Sequence, residues 1–177
     1  MAKKITINLS QKSIQDAISQ IKAYQNELTY KCQLLAEKLS ERGVEIARLQ
    51  LADLDAIFTT ELISSVHAEY KGSVKGGGIW AVVAGTDHAT FVEFGTGIVG
   101  KRSPYPGKLP DGIDWQYASG KTIRQLADGR YGWFYQDDNG EWWFTEGMPS
   151  RPFMYYTAQE LEKIVVETAK EVFGGNR

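Results

Sequence analysis

The chain has 177 residues, 42% hydrophobic and 24% charged, with a formal net charge of −2. That is enough sequence for one globular domain with its own core, and the near-neutral charge gives no sign of a general nucleic-acid or membrane binder. The single cysteine, Cys32, excludes an intrachain disulfide, and no apolar run approaches the ~20 residues of a membrane span.

The basic start, Lys3-Lys4, is followed by no apolar segment of the kind a signal peptide carries. Ile5, Ile7 and Leu9 alternate with polar residues and predict a short strand. Ser10 or Ser13 then reads as a helix N-cap. Ile14, Ile18, Ile21, Leu28, Cys32, Leu35 and Leu39 fall at spacings of three, four or seven, one stripe down a helix. The stripe predicts a helix of about 30 residues, roughly 45 Å long, with Gly43 as its terminator. A second short strand is expected over residues 44–50. Two more follow over Glu61–Tyr70 and Ile79–Thr86, joined through a turn that ends in Gly76, Gly77 and Gly78. Residues 88–94 read as a helical turn. Residues 97–130, with Pro104, Pro106 and Pro110, many glycines and no periodicity, read as an inserted loop. Tyr131–Tyr135 and Glu141–Thr145 flank an Asn139-Gly140 turn and predict an aromatic hairpin. After Pro149 and Pro152, a final helix is expected from Phe153 to about Phe173, with Gly174-Gly175 ending it.

Few residues carry a chemical signal. Gly95–Lys101 matches the first seven positions of a phosphate-binding loop, but Arg102 replaces the Ser or Thr that would hold magnesium. Pro104 and Pro106 are expected to prevent the helix such a loop opens. His67 and His88 are the only histidines, and neither lies in a spacing that completes a metal site or a nucleophile motif. Cys32 lies in the helix stripe, where a thiol acts as a small apolar residue. Asp137-Asp138-Asn139-Gly140-Glu141 lacks calcium-loop spacing and suits hairpin turn chemistry. No catalytic residue, metal or cofactor is expected. The aromatic hairpin is the best candidate for function. Its Trp133, Tyr135, Trp142 and Trp143 read as anchors for a protein partner, with a stacking platform for sugars as the alternative.

The stretch Thr90-Phe91-Val92-Glu93-Phe94-Gly95-Thr96 is followed about fifty residues later by Gly147-Met148-Pro149-Ser150-Arg151-Pro152-Phe153-Met154 and a closing helix. In motif and in order of parts the chain resembles the tail-completion or head–tail joining proteins of long-tailed bacteriophages, often described as neck or minor tail components. The resemblance covers nearly the whole chain except about 97–146, which is longer here than in the compact members. It implies a non-enzymatic structural protein of the virion, assembled in the bacterial cytoplasm at the head–tail junction. The implied form is a homo-oligomeric ring, six copies being the expected number, that contacts neck or connector proteins and the tail tube. Lys101 and Arg102 become candidate lumen charges, able to make non-specific contact with passing DNA. Within the motif, Phe91, Glu93, Phe94, Gly95, Thr96, Pro152 and Phe153 read as architectural. Phe91 and Phe94 would pack a helical turn inward, and Glu93 would accept hydrogen bonds from a turn or pair with Arg151. The expected fold is α+β: a mainly antiparallel sheet packed by the long N-terminal helix and the C-terminal helix, in one domain over 1–177 with an insertion at about 97–146.

Overall fold

The computed structural model describes residues 5–56, 60–111, 124–137 and 139–174. It is a mixed helix and sheet fold, with a long N-terminal helix, antiparallel sheets and a C-terminal helix. Helix α1 spans Gln11–Asp53, 43 residues, about 65 Å at the α-helical rise. Its start is fixed locally. Ser10 Oγ accepts from the Ser13 amide at 3.3 Å, and Ser13 Oγ accepts from the Asn8 amide at 3.0 Å. This capping arrangement occupies the residues from which a strand was expected. Ile5, Ile7 and Leu9 form none, because period-two alternation becomes a strand only beside a partner ladder.

Gly43 does not end the helix. A Cβ there would sit 2.6 Å from Val82 Cγ2 and 3.1 Å from Leu161 Cδ1, so the glycine is where α1 lets other elements approach most closely. Residues 44–50, expected as a strand, continue the helix, with Gly43, Ala47 and Leu51 buried at four-residue intervals. The true terminator is Asp55, at a φ of 50°. Its amide bonds the Ala52 carbonyl at 3.1 Å and the Ala56 amide bonds the Leu51 carbonyl at 2.9 Å, a Schellman closure built without glycine.

Helix α2 (Thr60–Ser65) replaces the start of the next expected strand. Strands β1 (Val66–Val74) and β2 (Gly77–Ala84) then form an antiparallel hairpin about Lys75-Gly76, with a bulge between Tyr70 and Gly72. Gly77 and Gly78 belong to β2 rather than to the tip. The Val66, Ala68, Val82 and Ala84 face lies toward the core beneath α1. Short helices α3 (Ala89–Phe94) and α4 (Gly97–Arg102) follow, so the stretch read as loop begins with a helical turn. The second sheet is three-stranded, in the order β3 (Arg124–Gln125), β4 (Tyr131–Gln136), β5 (Trp142–Thr145). Among the described residues the strands thus form two separate antiparallel sheets where one was expected. A two-residue strand β6 (Gly147–Met148) leads into helix α5, Phe153–Phe173, as expected. Helix α5 lies on α1, held at its far end by Arg42, whose Nη2 bonds both Glu171 carboxylate oxygens at 2.8 and 2.9 Å. Ala47, Leu51, Ala56, Leu62, Val66, Ala89, Val92 and Phe153 make the buried core.

Candidate functional site

The two motif segments, fifty-odd residues apart in sequence, are knitted together in space. Glu93, on α3, is 6% exposed. Its Oε2 accepts from the Met154 amide at 2.9 Å and its Oε1 from the Tyr155 amide at 3.0 Å. These are amides of the first turn of α5, where Pro152 stands at the cap with no side chain able to accept. Glu93 therefore caps a helix that begins sixty residues later, with its charge at the positive end of the α5 dipole. Burial pushes the carboxyl above its ordinary value, outweighing the two amide donors that pull it down. Of the two roles expected for Glu93, accepting hydrogen bonds from a turn is the one these contacts use. Arg151 donates its amide to the Val92 carbonyl at 2.8 Å and its Nε to the Leu54 carbonyl at 3.1 Å, at the C-terminal end of α1.

Further bonds close this clasp. Ser150 Oγ donates to the Glu93 carbonyl at 2.7 Å, and the Met148 amide donates to Thr96 Oγ1 at 3.0 Å. Gly95, at a φ of 76°, lets the chain pass against 148–150, where a Cβ would lie 2.6 Å from the Ser150 amide. Phe153 is fully buried. Phe94 packs edge-on to Tyr105 at 4.8 Å, and Tyr105 edge-on to Tyr155 at 5.4 Å. Tyr105's hydroxyl is raised above its ordinary pKa, chiefly by burial and then by the Glu93 charge. Phe91 differs from its partner: it remains 41% exposed on α3 rather than packing inward.

The register of β4 with β5 sorts the aromatic residues into two faces. Trp133, Tyr135 and Trp143 share one, with Thr145; Phe134, Phe144 and Trp142 share the other. Trp133 is half-buried, and its ring lies where a Cβ on Gly97 would be 2.8 Å away. It therefore seats the hairpin on α4. Tyr135, Trp142 and Trp143 are exposed, Trp142 most of all at 67%. The turn is held by Asp137, which accepts from the Asn139 and Glu141 amides and from Trp143 Nε1, each at 2.9 Å. Those donors hold the Asp137 carboxyl below its ordinary range. Arg130 lies over the Phe144 ring, 5.1 Å from its centroid. Among the described residues the hairpin thus presents exposed aromatic side chains beside a turn that Asp137 holds.

The phosphate-loop resemblance does not survive the geometry. The Ile98 and Val99 amides, which a phosphate would need, donate to the Glu146 carbonyl at 3.0 and 3.3 Å. Lys101 and Arg102 are exposed in the last turn of α4, where they favour its negative end. His67 bonds the Ser65 carbonyl through Nδ1 at 2.7 Å, and Cys32 is half-buried in α1. Among the described residues no group of His, Cys, Asp or Glu is placed to hold a metal ion, and no helix is long and apolar enough to cross a membrane. The apolar groove between α1, β2 and α5 contains two hydroxyls, and both are bonded within their own helices, Ser40 to the Glu37 carbonyl and Thr157 to that of Phe153.

Sequence reasoning gave no role to Gly132 or to the motif's Gly147, both of which allow close backbone approach in this region. A Cβ on either would lie 2.0 Å from a carbonyl oxygen, that of Thr145 or Thr96. It also missed Asp137's threefold role, for which the turn sequence was the available signal. Neither a protein-family model, nor a curated protein, nor a solved structure matches the chain.

Proposed function

We propose that this chain is a structural virion protein of a long-tailed phage, forming a ring at the head–tail interface that joins the neck to the tail. The observation that carries the reading is the clasp. The two segments on which the family resemblance rests close on each other through Glu93, Thr96, Ser150 and the α5 amides. In this reading they serve as a scaffold. On that scaffold stands a hairpin whose exposed Tyr135, Trp142 and Trp143 have the composition of an interface anchor. The chain's work in this reading is shape and binding energy. Copies join into a ring, six being the expected number, one surface meeting the neck and another the tail tube, while Lys101 and Arg102 line the lumen.

Electron microscopy of lysates from a phage lacking this gene tests the proposal. Separate filled heads and finished tails, rescued by the intact chain, are the expected result. Whole particles that fail only at attaching to cells would overturn it in favour of a sugar-binding module. Trp142 and Phe134, exposed on one hairpin face, are the observation behind that second reading. Titration with cell-wall sugars addresses it directly.

A further inference from the structure

The apolar stripe of α1 runs through Ile14, Ile18, Ile21, Gln25, Leu28, Cys32, Leu35 and Leu39, in steps that alternate four and three. From Cys32 onward it is half-buried, with Leu39 in the groove against Trp80, Val82, Met154 and Leu161. Before Cys32 the same stripe is open. Ile14, Ile18, Ile21 and Leu28 are 41–51% exposed, and on the flank Tyr24 is 57% exposed while Ala17 is buried. A stripe this regular, continuous with one already packed, is the seam of a helix–helix contact.

We propose that the N-terminal half of α1 is a self-association surface, on which copies of this chain pack helix against helix, parallel and in register. The occupant follows from the stripe's chemistry. Its 4-3 spacing fits another helix with the same spacing, which a second copy supplies at every level. Gln25 sets the direction. In a parallel pairing its amide meets the same amide of the neighbour and both are satisfied, whereas an antiparallel pairing buries it against isoleucine or leucine. Isoleucine at both kinds of seam position favours three or more strands over two. Area points the same way. The open stripe offers on the order of 400 Å² per copy, so a pair falls short of the ~1,200 Å² of a stable dimer. A bundle, in which each helix meets two neighbours, also uses the flank that Tyr24 leaves open. The inference rests on the self-assembly part of the reading above and not on the phage location.

Sedimentation equilibrium of the full chain from about 5 to about 500 µM tests it, since a contact of this size is concentration-dependent. Wild type is expected to gain mass across the range. I18E, which places a charge in the seam, weakens association at least tenfold; N26E, the same charge on the opposite face, does not. Circular dichroism of I18E should match wild type, because the site is exposed in the single copy. In a Cys32→Ala background, I14C should form an interchain disulfide, as only parallel pairing sets position 14 beside itself. If wild type associates and I18E associates equally well, the stripe proposal is overturned while ring formation through another surface stands. A wild type that stays monomeric throughout also overturns it, and gene-deletion microscopy then judges the phage reading separately.

Discussion

Hairpins β1–β2 and β4–β5 use the same device, an antiparallel ladder closed by a tight turn carrying a glycine at positive φ, Gly76 in one and Gly140 in the other. Their side chains have opposite fates. The β1–β2 hairpin places small aliphatic residues against α1 and buries Val66 fully. The β4–β5 hairpin is richer in large aromatic residues and leaves Phe134, Tyr135, Trp142 and Trp143 exposed. The more hydrophobic hairpin is the less buried one. Burial follows from what lies opposite an element, and composition alone does not decide it.

Five variants test that contrast. The largest effect belongs to the β1–β2 side. G43L drives a side chain into Val82 and Leu161 and should destabilise the fold by about 2–3 kcal/mol in urea unfolding. Next is the clasp beneath the β4–β5 hairpin. E93A uncaps two α5 amides and should cost about 2 kcal/mol at neutral pH. Glu93 also has a pH signature. Its folded pKa lies above the ordinary 4.5, so its ionisation opposes folding. Stability from this group is fullest below 4.5 and is lost as pH rises through the raised value. E93Q should remove that slope, so wild type gains on E93Q as pH falls.

On the aromatic hairpin itself, the W142A/W143A double variant should leave stability within about 0.5 kcal/mol while abolishing assembly in a complementation assay. A loss as large as that of G43L would erase the distinction between the two hairpins. The smallest effect is at the turn. Asp137 is held below its ordinary 3.8, so its support is present above that value and lost as pH falls through the lower one. The Trp143 indole N–H resonance should therefore keep its shift to below pH 3.8 in wild type and lose it at neutral pH in D137A.

What could be read from sequence was what neighbours in sequence decide. Pro152, the helical spacing after Phe153 and Gly174 bracketed α5 correctly. Asn139-Gly140 located the aromatic hairpin. Gly43 misled because its reason lies in Val82 and Leu161, far along the chain; judged locally, a glycine after arginine ends a helix. Ile5, Ile7 and Leu9 misled in the opposite way, since alternation says nothing about whether a partner strand exists. At the site, the motif residues were marked in advance but not their bonds. That Glu93 caps α5, and that Trp133 seats the hairpin while Trp142 stands clear, depends on which elements face each other.

The contact between α1 and α5 has a consequence for how the chain is made. Arg42 and Glu171, 129 positions apart, sit on helices that complete each other's packing, so the loop between them closes only after everything from α1 to α5 has been made. A ribosome delivers α1 first. Its long stripe leaves the exit tunnel with no α5 to cover it, and the core around Phe153 waits for α5. Folding of the core around Phe153 therefore follows synthesis of α5, not of α1. A stop codon before Glu171 should yield an aggregation-prone helix and hairpin rather than a shorter working protein.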